Sequence, residues 1–363
     1  MNLNLGISLA VFYAVTALPA LALEKPVKPD KAERINPLLL QKSGFQVGDF
    51  LIRPELALIG IYDNNIFATR TNEVSDHLLL ISPSLNILSD WDRHQLKFSS
   101  SADLARYDEN SSEDYDDFHV STSGRYDFSK KANVFAGFNY SQGHESRASP
   151  DSFSGSVPTV FVSSDAYLGT VQQVGDIAMR LGGTFQNLDF EDVSTDTIPV
   201  NHDDRDRDLY GLGLRLSYSR DKRWQPFVQF VYDQREYQDT LDDNGFYRDS
   251  DGYRVAAGLS SNISNRLRAE VYGGYLWQDF SDSRFNTVDK PDFGASLRWR
   301  AAASTMLSVS IDRSIEETTL TDASSAIETS YGTDLRYKLL PELTLKSHLI
   351  YSKFDYQQIS RED

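Results

Sequence analysis

The fold is decided by the stretch Tyr210-Gly211-Leu212-Gly213-Leu214-Arg215-Leu216-Ser217-Tyr218, in which apolar residues alternate with small or polar ones. One face carries Tyr, Leu, Leu, Leu and Tyr, and the other carries Gly, Gly, Arg and Ser. A period of two is typical of a β-strand with one apolar face. Aromatic residues at both ends of that face match the girdle positions of a strand that crosses a membrane. The segment therefore predicts a strand with one face toward lipid.

The same alternation recurs after Phe50, and it predicts fifteen strands of about ten residues or more between residues 50 and 356. Short links alternate with long polar loops, which is the arrangement of outer-membrane barrels. A soluble β-sandwich is the alternative, but it needs no aromatic girdle at both strand ends. The pattern predicts an all-β fold, a transmembrane antiparallel up-and-down β-barrel.

Composition excludes several other classes of protein. The 363 residues include 36 basic and 53 acidic side chains, so the net charge is −17, and the mean hydropathy is −0.43. A bundle of membrane helices needs apolar runs of about 20 residues, and only residues 5–23 come close. The acidity argues against nucleic acid as a partner. With no Cys, neither a disulfide framework nor a thiolate zinc site can form.

The N-terminus has the features of an export signal. An apolar run over residues 5–18 precedes Pro19-Ala20-Leu21-Ala22, which fits the small-x-small cleavage rule. Residues 1–4 carry no Lys or Arg, which departs from that pattern, and an uncleaved anchor helix is the alternative. We expect a signal peptide over 1–22, a flexible periplasmic leader over 23–48 and a barrel over 49–363.

The strand count is odd, whereas bacterial single-chain barrels close with an even number. Fifteen strands from a periplasmic start would leave the C-terminus outside the cell. We therefore expect a barrel of about 16 strands whose closing strand is missing from this sequence. The alternative is a miscounted segment around residues 143–176, where residues 157–162 could form an extra strand.

Motifs at the start of the barrel resemble a known family. They are Tyr62-Asp63-Asn64-Asn65-Ile66-Phe67, Pro83 and the turn Asp90-Trp91-Asp92-Arg93-His94, with a weaker match over 251–254 and 276–280. These residues resemble the outer-membrane family called putative β-barrel porin 2, which is associated with exopolysaccharide and capsule biosynthesis loci. The resemblance implies a role in surface polysaccharide export or as a porin, and it brings no established catalytic mechanism.

Alternation also predicts which charged residues face the lumen. Thirteen basic residues fall on this face against eight acidic ones, which predicts attraction of anions, since a low-dielectric channel focuses the field of its lining charges. The alternative is that these side chains pair across neighbouring strands and only fill the lumen. The candidate lumen-lining residues are Arg215, Arg254, Arg268, Glu270, Arg298, Arg300, Asp334, Arg336 and Lys338.

The negative charge is concentrated in the long loops instead. Residues 108–117, 189–208 and 236–251 hold 20 of the 53 acidic side chains. We expect these loops to be extracellular and the N-terminus to be periplasmic. Asp242-Asp243-Asn244-Gly245 could bind a hard cation, but it lacks the twelve-residue calcium-loop pattern, and solvated acidic loops are the simpler interpretation. No metal site is predicted.

No catalytic motif stands out, so we expect no enzyme and no cofactor. His119 and Ser121 are similar to a pair in lipid A deacylases, but alternation turns both toward the lumen rather than toward lipid. The expected function is a conduit or accessory for polysaccharide export or anionic solute passage. Expected partners are outer-membrane lipid, acidic polysaccharide and periplasmic export components. The alternative function is a plugged structural or adhesive barrel whose acidic loops bind partners.

Overall fold

The computed structural model describes residues 44–69, 71–147, 157–194, 199–221, 223–318, 320–340 and 343–361. The predicted signal peptide and residues 23–43 of the predicted leader lie outside these ranges. Within them no helix is long and apolar enough to cross a membrane.

The described residues form eighteen strands and two short 3-10 helices, Ser111–Glu113 and Asp203–Arg205. The first ten strands are β1 (Phe45–Val47), β2 (Phe50–Asp63), β3 (Asp76–Ser89), β4 (Gln95–Tyr107), β5 (Tyr115–Ser129), β6 (Ala132–His144), β7 (Val160–Val174), β8 (Ile177–Phe190), β9 (Val193–Ser194) and β10 (Pro199–Val200). The last eight are β11 (Arg207–Tyr218), β12 (Trp224–Tyr237), β13 (Ser250–Ser264), β14 (Leu267–Phe280), β15 (Val288–Ala302), β16 (Thr305–Glu316), β17 (Ala326–Lys338) and β18 (Thr344–Tyr356).

Sixteen of these strands form one antiparallel sheet in which each strand pairs with its neighbours along the chain. The order is β1 to β8 followed by β11 to β18, and β9 and β10 form a separate hairpin. This is the predicted all-β, up-and-down arrangement of sixteen strands. The sheet is not closed into a barrel within the described residues, because β18 is not hydrogen bonded to β1 or β2. The sheet therefore has two edges.

The sixteenth strand is not the one that the sequence pattern led us to expect. The fifteen long strands correspond one to one with the fifteen predicted ones, although several bounds differ by a few residues, but β1 lies in residues assigned to the leader. It forms a tight hairpin with β2, in which Phe45 pairs with Ile52. A three-residue strand is too short to show a period of two, which explains why alternation missed it.

The alternative of an extra strand at residues 157–162 is wrong, since Val160 begins β7. That this sequence lacks a closing strand stays a prediction.

Short and long connections alternate around the sheet. The short-turn end carries links such as 130–131, 175–176 and 303–304, and the long-loop end carries links such as 191–206 and 317–325. Gly175 shows how tight the short turns are: its φ is +59°, a conformation that glycine adopts without steric cost.

The two faces of the sheet differ as the alternation predicts. Leu212 is 49% exposed on the outer face, with exposed Tyr210 and Tyr218 on either side of it. The inner face is mixed, because apolar Leu276 and the amide side chain of Gln278 are both buried there. An apolar outer surface with aromatic residues near the strand ends suits contact with lipid.

Candidate functional site: the lumen face

The lumen face is identified by an ion pair that reaches across four strands, from β11 to β14. Nη1 and Nη2 of Arg215, on β11, lie 2.9 and 2.8 Å from the carboxylate oxygens of Glu270, on β14. The guanidinium also stacks 3.5 Å from the ring centroid of Phe227, on β12. Because β11 and β14 are not neighbours, these side chains meet only if the sheet is curled with this face on its concave side. The concave face is the lumen face.

A second predicted lumen arginine is also neutralised. Nε of Arg254 lies 3.3 Å from a carboxylate oxygen of Asp292, which is 2% exposed. The same guanidinium donates a hydrogen bond of 3.3 Å to the carbonyl of Arg313. For Arg215 and Arg254 the structure therefore matches the alternative in which lumen charges pair with one another.

The other five basic residues that were predicted to line the lumen are not neutralised. They lie near the short-turn end of β14, β15 and β17. Arg268 and Arg298 are directly opposite each other in the register of β14 and β15. Ser308 continues that row on β16 and pairs with Asp334 on β17. In the described part of the chain, none of the five side chains has a hydrogen bond or an ion pair. We call them the basic belt: Arg268, Arg298, Arg300, Arg336 and Lys338.

The two remaining predicted acids lie beside the belt but are already engaged. Glu270 holds Arg215 and also accepts a hydrogen bond from the Ser260 hydroxyl. A carboxylate oxygen of Asp334 lies 2.6 Å from Nδ1 of His348, the residue opposite it on β18. Neither carboxylate is therefore paired with a belt residue, and the belt keeps its positive charge.

Toward the long-loop end the lumen has the opposite character. A cavity of about 800 Å³ opens there, lined by residues from β2 through to β18, and no belt residue lines it. Six arginines line this cavity against ten carboxylates. The lumen is therefore not basic throughout, as its predicted charge ratio suggested, but divided into an acidic and a basic part. The carboxylates are Asp63, Asp103, Glu113, Asp117, Glu145, Asp233, Asp312, Glu316, Glu317 and Glu328.

Sequence reasoning missed several of these acids because the strands are longer than predicted. Glu328 lies inside β17, which begins at Ala326, whereas the alternation placed the start of that strand at residue 329. Glu316 is the last residue of β16. Extending the predicted strands into their polar ends would have found these acids. The sequence gives no reason to extend them, because both faces are polar there and apolar residues no longer alternate with polar ones.

Two buried arginines hold the β16–β17 connection at the long-loop end. Nη1 of Arg235 lies 2.7 Å from Oε1 of Glu317, and the hydroxyl of Tyr237 donates to Oε2 of Glu317 at 2.7 Å. Arg248 donates to the carbonyl of Ala323 at 2.8 Å and pairs with Asp242 at 2.8 Å. Residues 320–325 are thereby tied to the loop before β13, and Ala323 packs against Tyr356 of β18.

The candidate cation loop and catalytic pair offer little chemistry of their own. Oδ1 of Asp242 accepts hydrogen bonds from the backbone of Asn244 and Phe246, so its carboxylate closes its own turn. Across the described ranges, no group of three or more His, Cys, Asp or Glu side chains could hold a metal ion. His119 and Ser121 lie on the lumen face of β5, opposite Ser101 and Ser99 of β4.

Solved structures similar to this chain are outer-membrane receptors and channels. BauA, the ferric preacinetobactin receptor of Acinetobacter baumannii, is 10% identical with a TM-score of 0.45, over 88% of this chain and 59% of that one. The siderophore receptor PiuA of the same organism is 8% identical with a TM-score of 0.46, over 87% and 61%. The TodX monoaromatic hydrocarbon channel is 11% identical with a TM-score of 0.37, over 86% and 93%.

This chain thus spans about six tenths of the length of the two receptors. No curated protein matches it. The family model described as putative beta-barrel porin 2 matches residues 37–363, nearly the whole chain after the predicted signal peptide. The chain therefore belongs to the putative beta-barrel porin 2 family, and it is a porin-like protein of the outer membrane.

Proposed function

We propose that this protein is a conduit for anions across the outer membrane, with acidic polysaccharide or small anionic solutes as its cargo. The observation that carries the proposal is the basic belt, whose five cationic side chains have no acidic partner among the described residues. Side chains that only filled the lumen would be expected to pair, as Arg215 and Arg254 do. Unpaired cations on a channel wall attract anions.

The spacing of the belt allows its charges to act together. Directly opposite residues of an antiparallel pair have Cα atoms about 5 Å apart, as in the Arg268 and Arg298 pair. That distance is shorter than the Debye length of about 8 Å at physiological ionic strength. An ion passing one of these arginines therefore feels the field of both.

In this proposal the N-terminus lies in the periplasm and the acidic long loops lie outside the cell. The basic belt is then at the periplasmic mouth, where it would collect anionic cargo delivered by periplasmic export components. We propose no catalytic role, so Ser121→Ala should leave lipid and glycan turnover unchanged.

Planar-bilayer recordings of the purified protein test the proposal. The reversal potential in a salt gradient should indicate preference for anions, and Arg298→Gln/Arg336→Gln should lower the anion-to-cation permeability ratio. Arg220→Gln is the matched control, because Arg220 is exposed in a short turn at the same end but outside the belt. A cation-selective wild-type pore would overturn the proposal.

A second candidate function is a plugged structural or adhesive barrel whose acidic loops bind partners. The observation that favours it is the anchoring of Glu317, which lines the cavity, by Arg235 and Tyr237. The two candidates separate on conductance, since a plugged barrel would pass no current in the same recordings.

A further inference from the structure

We propose that the lumen rectifies ion flow, passing more current when the long-loop side is positive. This rests on the proposed function, because it requires that the lumen conduct. Two zones of opposite charge stand in series along the lumen face. One is the basic belt, and the other is an acidic zone that we define as Asp103, Asp312 and Glu328, all of which line the cavity.

The acidic zone keeps its charge because Asp103, Asp312 and Glu328 have no ion pair in the described part of the chain. Asp103 accepts a hydrogen bond from the Ser82 hydroxyl, and Glu328 accepts one of 2.6 Å from the Ser352 hydroxyl. A hydroxyl donor carries no charge, so it does not neutralise a carboxylate. Asp103 also lies directly opposite Asp117 in the register of β4 and β5. The Asp117 carboxylate lies 3.0 Å from Nδ1 of His144, whereas Asp103 has no ion pair among the described residues.

The register of the sheet separates the two zones. Ser308 stands level with Arg298 on β16, and Asp312 follows four residues later on the same strand. At about 3.4 Å per residue this places Asp312 about 14 Å beyond the belt. Glu328 and Arg336 are eight residues apart on β17, or about 27 Å. Both separations exceed the Debye length of about 8 Å at physiological salt, so each zone acts on passing ions separately.

Two such zones in series make conduction depend on polarity. When the long-loop side is positive, cations enter through the acidic zone and anions enter through the belt. Each ion then meets first the zone that attracts it, so both ions accumulate in the lumen and the current is large. Under the opposite polarity each ion meets first the zone that repels it, and the lumen is depleted. The effect should vanish near 1 M salt, where the Debye length is about 3 Å.

Single-channel recording of oriented pores tests this inference. The sequence contains no Cys, so Thr240→Cys places one thiol on an exposed long loop, and a thiol-reactive polymer added to one chamber reports the orientation. At about 0.15 M salt we expect the current with the long-loop side positive to exceed the reverse current about twofold or more. Equal currents at both polarities, or the larger current at the opposite polarity, would overturn the inference.

Variants separate this inference from the proposed function. Asp312→Asn/Glu328→Gln should abolish rectification and raise the anion preference, whereas Arg298→Gln/Arg336→Gln should abolish rectification and lower it. Asp289→Asn is the control, because Asp289 is exposed on the outer face of β15. An anion-selective pore without rectification contradicts only the inference, and a cation-selective rectifying pore contradicts only the proposed function. Rectification that survives both pairs of substitutions would overturn the two-zone explanation.

Discussion

Arg268 and Arg298 lie directly opposite each other on β14 and β15, and neither side chain has an acidic partner in the described part of the chain. Like charges in directly opposite positions destabilise a sheet. The nearest carboxylate on β14, that of Glu270, is bound instead to Arg215. A local arrangement that lowers stability and makes no compensating contact is typical of a functional site.

The basic belt should therefore lower the free energy of unfolding. Arg298→Gln removes a repulsion and breaks no ion pair, so we expect the free energy of unfolding to rise by about 0.2–1 kcal/mol. Urea titration followed by tryptophan fluorescence measures the change. Glu270→Gln is the comparison, since it leaves Arg215 without its partner and should destabilise. A clear loss of stability in Arg298→Gln would show that the side chain has a structural partner.

The Arg215 and Glu270 pair should be a structural element of the lumen. Arg215→Met leaves the partly buried Glu270 carboxylate without its counter-charge and its two hydrogen bonds, so we expect a loss of about 1–3 kcal/mol. The double variant Arg215→Met/Glu270→Gln leaves no unpaired charge and should recover much of the loss in the same titration. If the single and double variants were equally unstable, packing of Arg215 against Phe227 rather than its charge would be the main contribution.

The β16–β17 connection should open when its clamp is removed. Arg248→Ala deletes the hydrogen bonds to the carbonyls of Leu320 and Ala323, so we expect faster amide exchange in residues 320–325. Arg284→Ala is the control, because Arg284 also contacts Phe246 but is exposed and donates no hydrogen bond to that connection. Unchanged exchange in Arg248→Ala would show that the other contacts of the connection, among them the Arg235 and Glu317 pair, are enough to hold it.

Acid should stabilise the loop before β11. Burial raises the pKa of the Asp206 carboxyl from 3.8 to about 6, despite the hydrogen bond that it accepts from the Phe190 amide. A carboxyl with a raised pKa favours the closed loop while it is protonated, so this stabilisation is lost as the pH rises from about 4 to about 6. The protection factor of the Phe190 amide, corrected for intrinsic exchange, should fall over that range. Asp206→Asn should remove the pH dependence.

Much of the fold could be predicted from the sequence, because a strand with one face toward lipid and the other toward water must alternate apolar and polar residues. The segment from Tyr210 to Tyr218 shows this, since every second residue is large and apolar. The hairpin of Phe45–Val47 could not be read, because three residues carry no period. The pairing of Arg215 with Glu270 joins strands that are not neighbours, so it depends on the curvature of the sheet. The division of the lumen into acidic and basic zones depends on register, which alternation does not report.

The anion-to-cation permeability ratio of single pores, taken from the reversal potential in a salt gradient, tests the central claim most directly. We predict a ratio above one for the wild-type protein, lowered by Arg298→Gln/Arg336→Gln and unchanged by Arg220→Gln. A ratio below one, or a ratio that the belt variant does not lower, would contradict the assignment of the basic belt as the selectivity element.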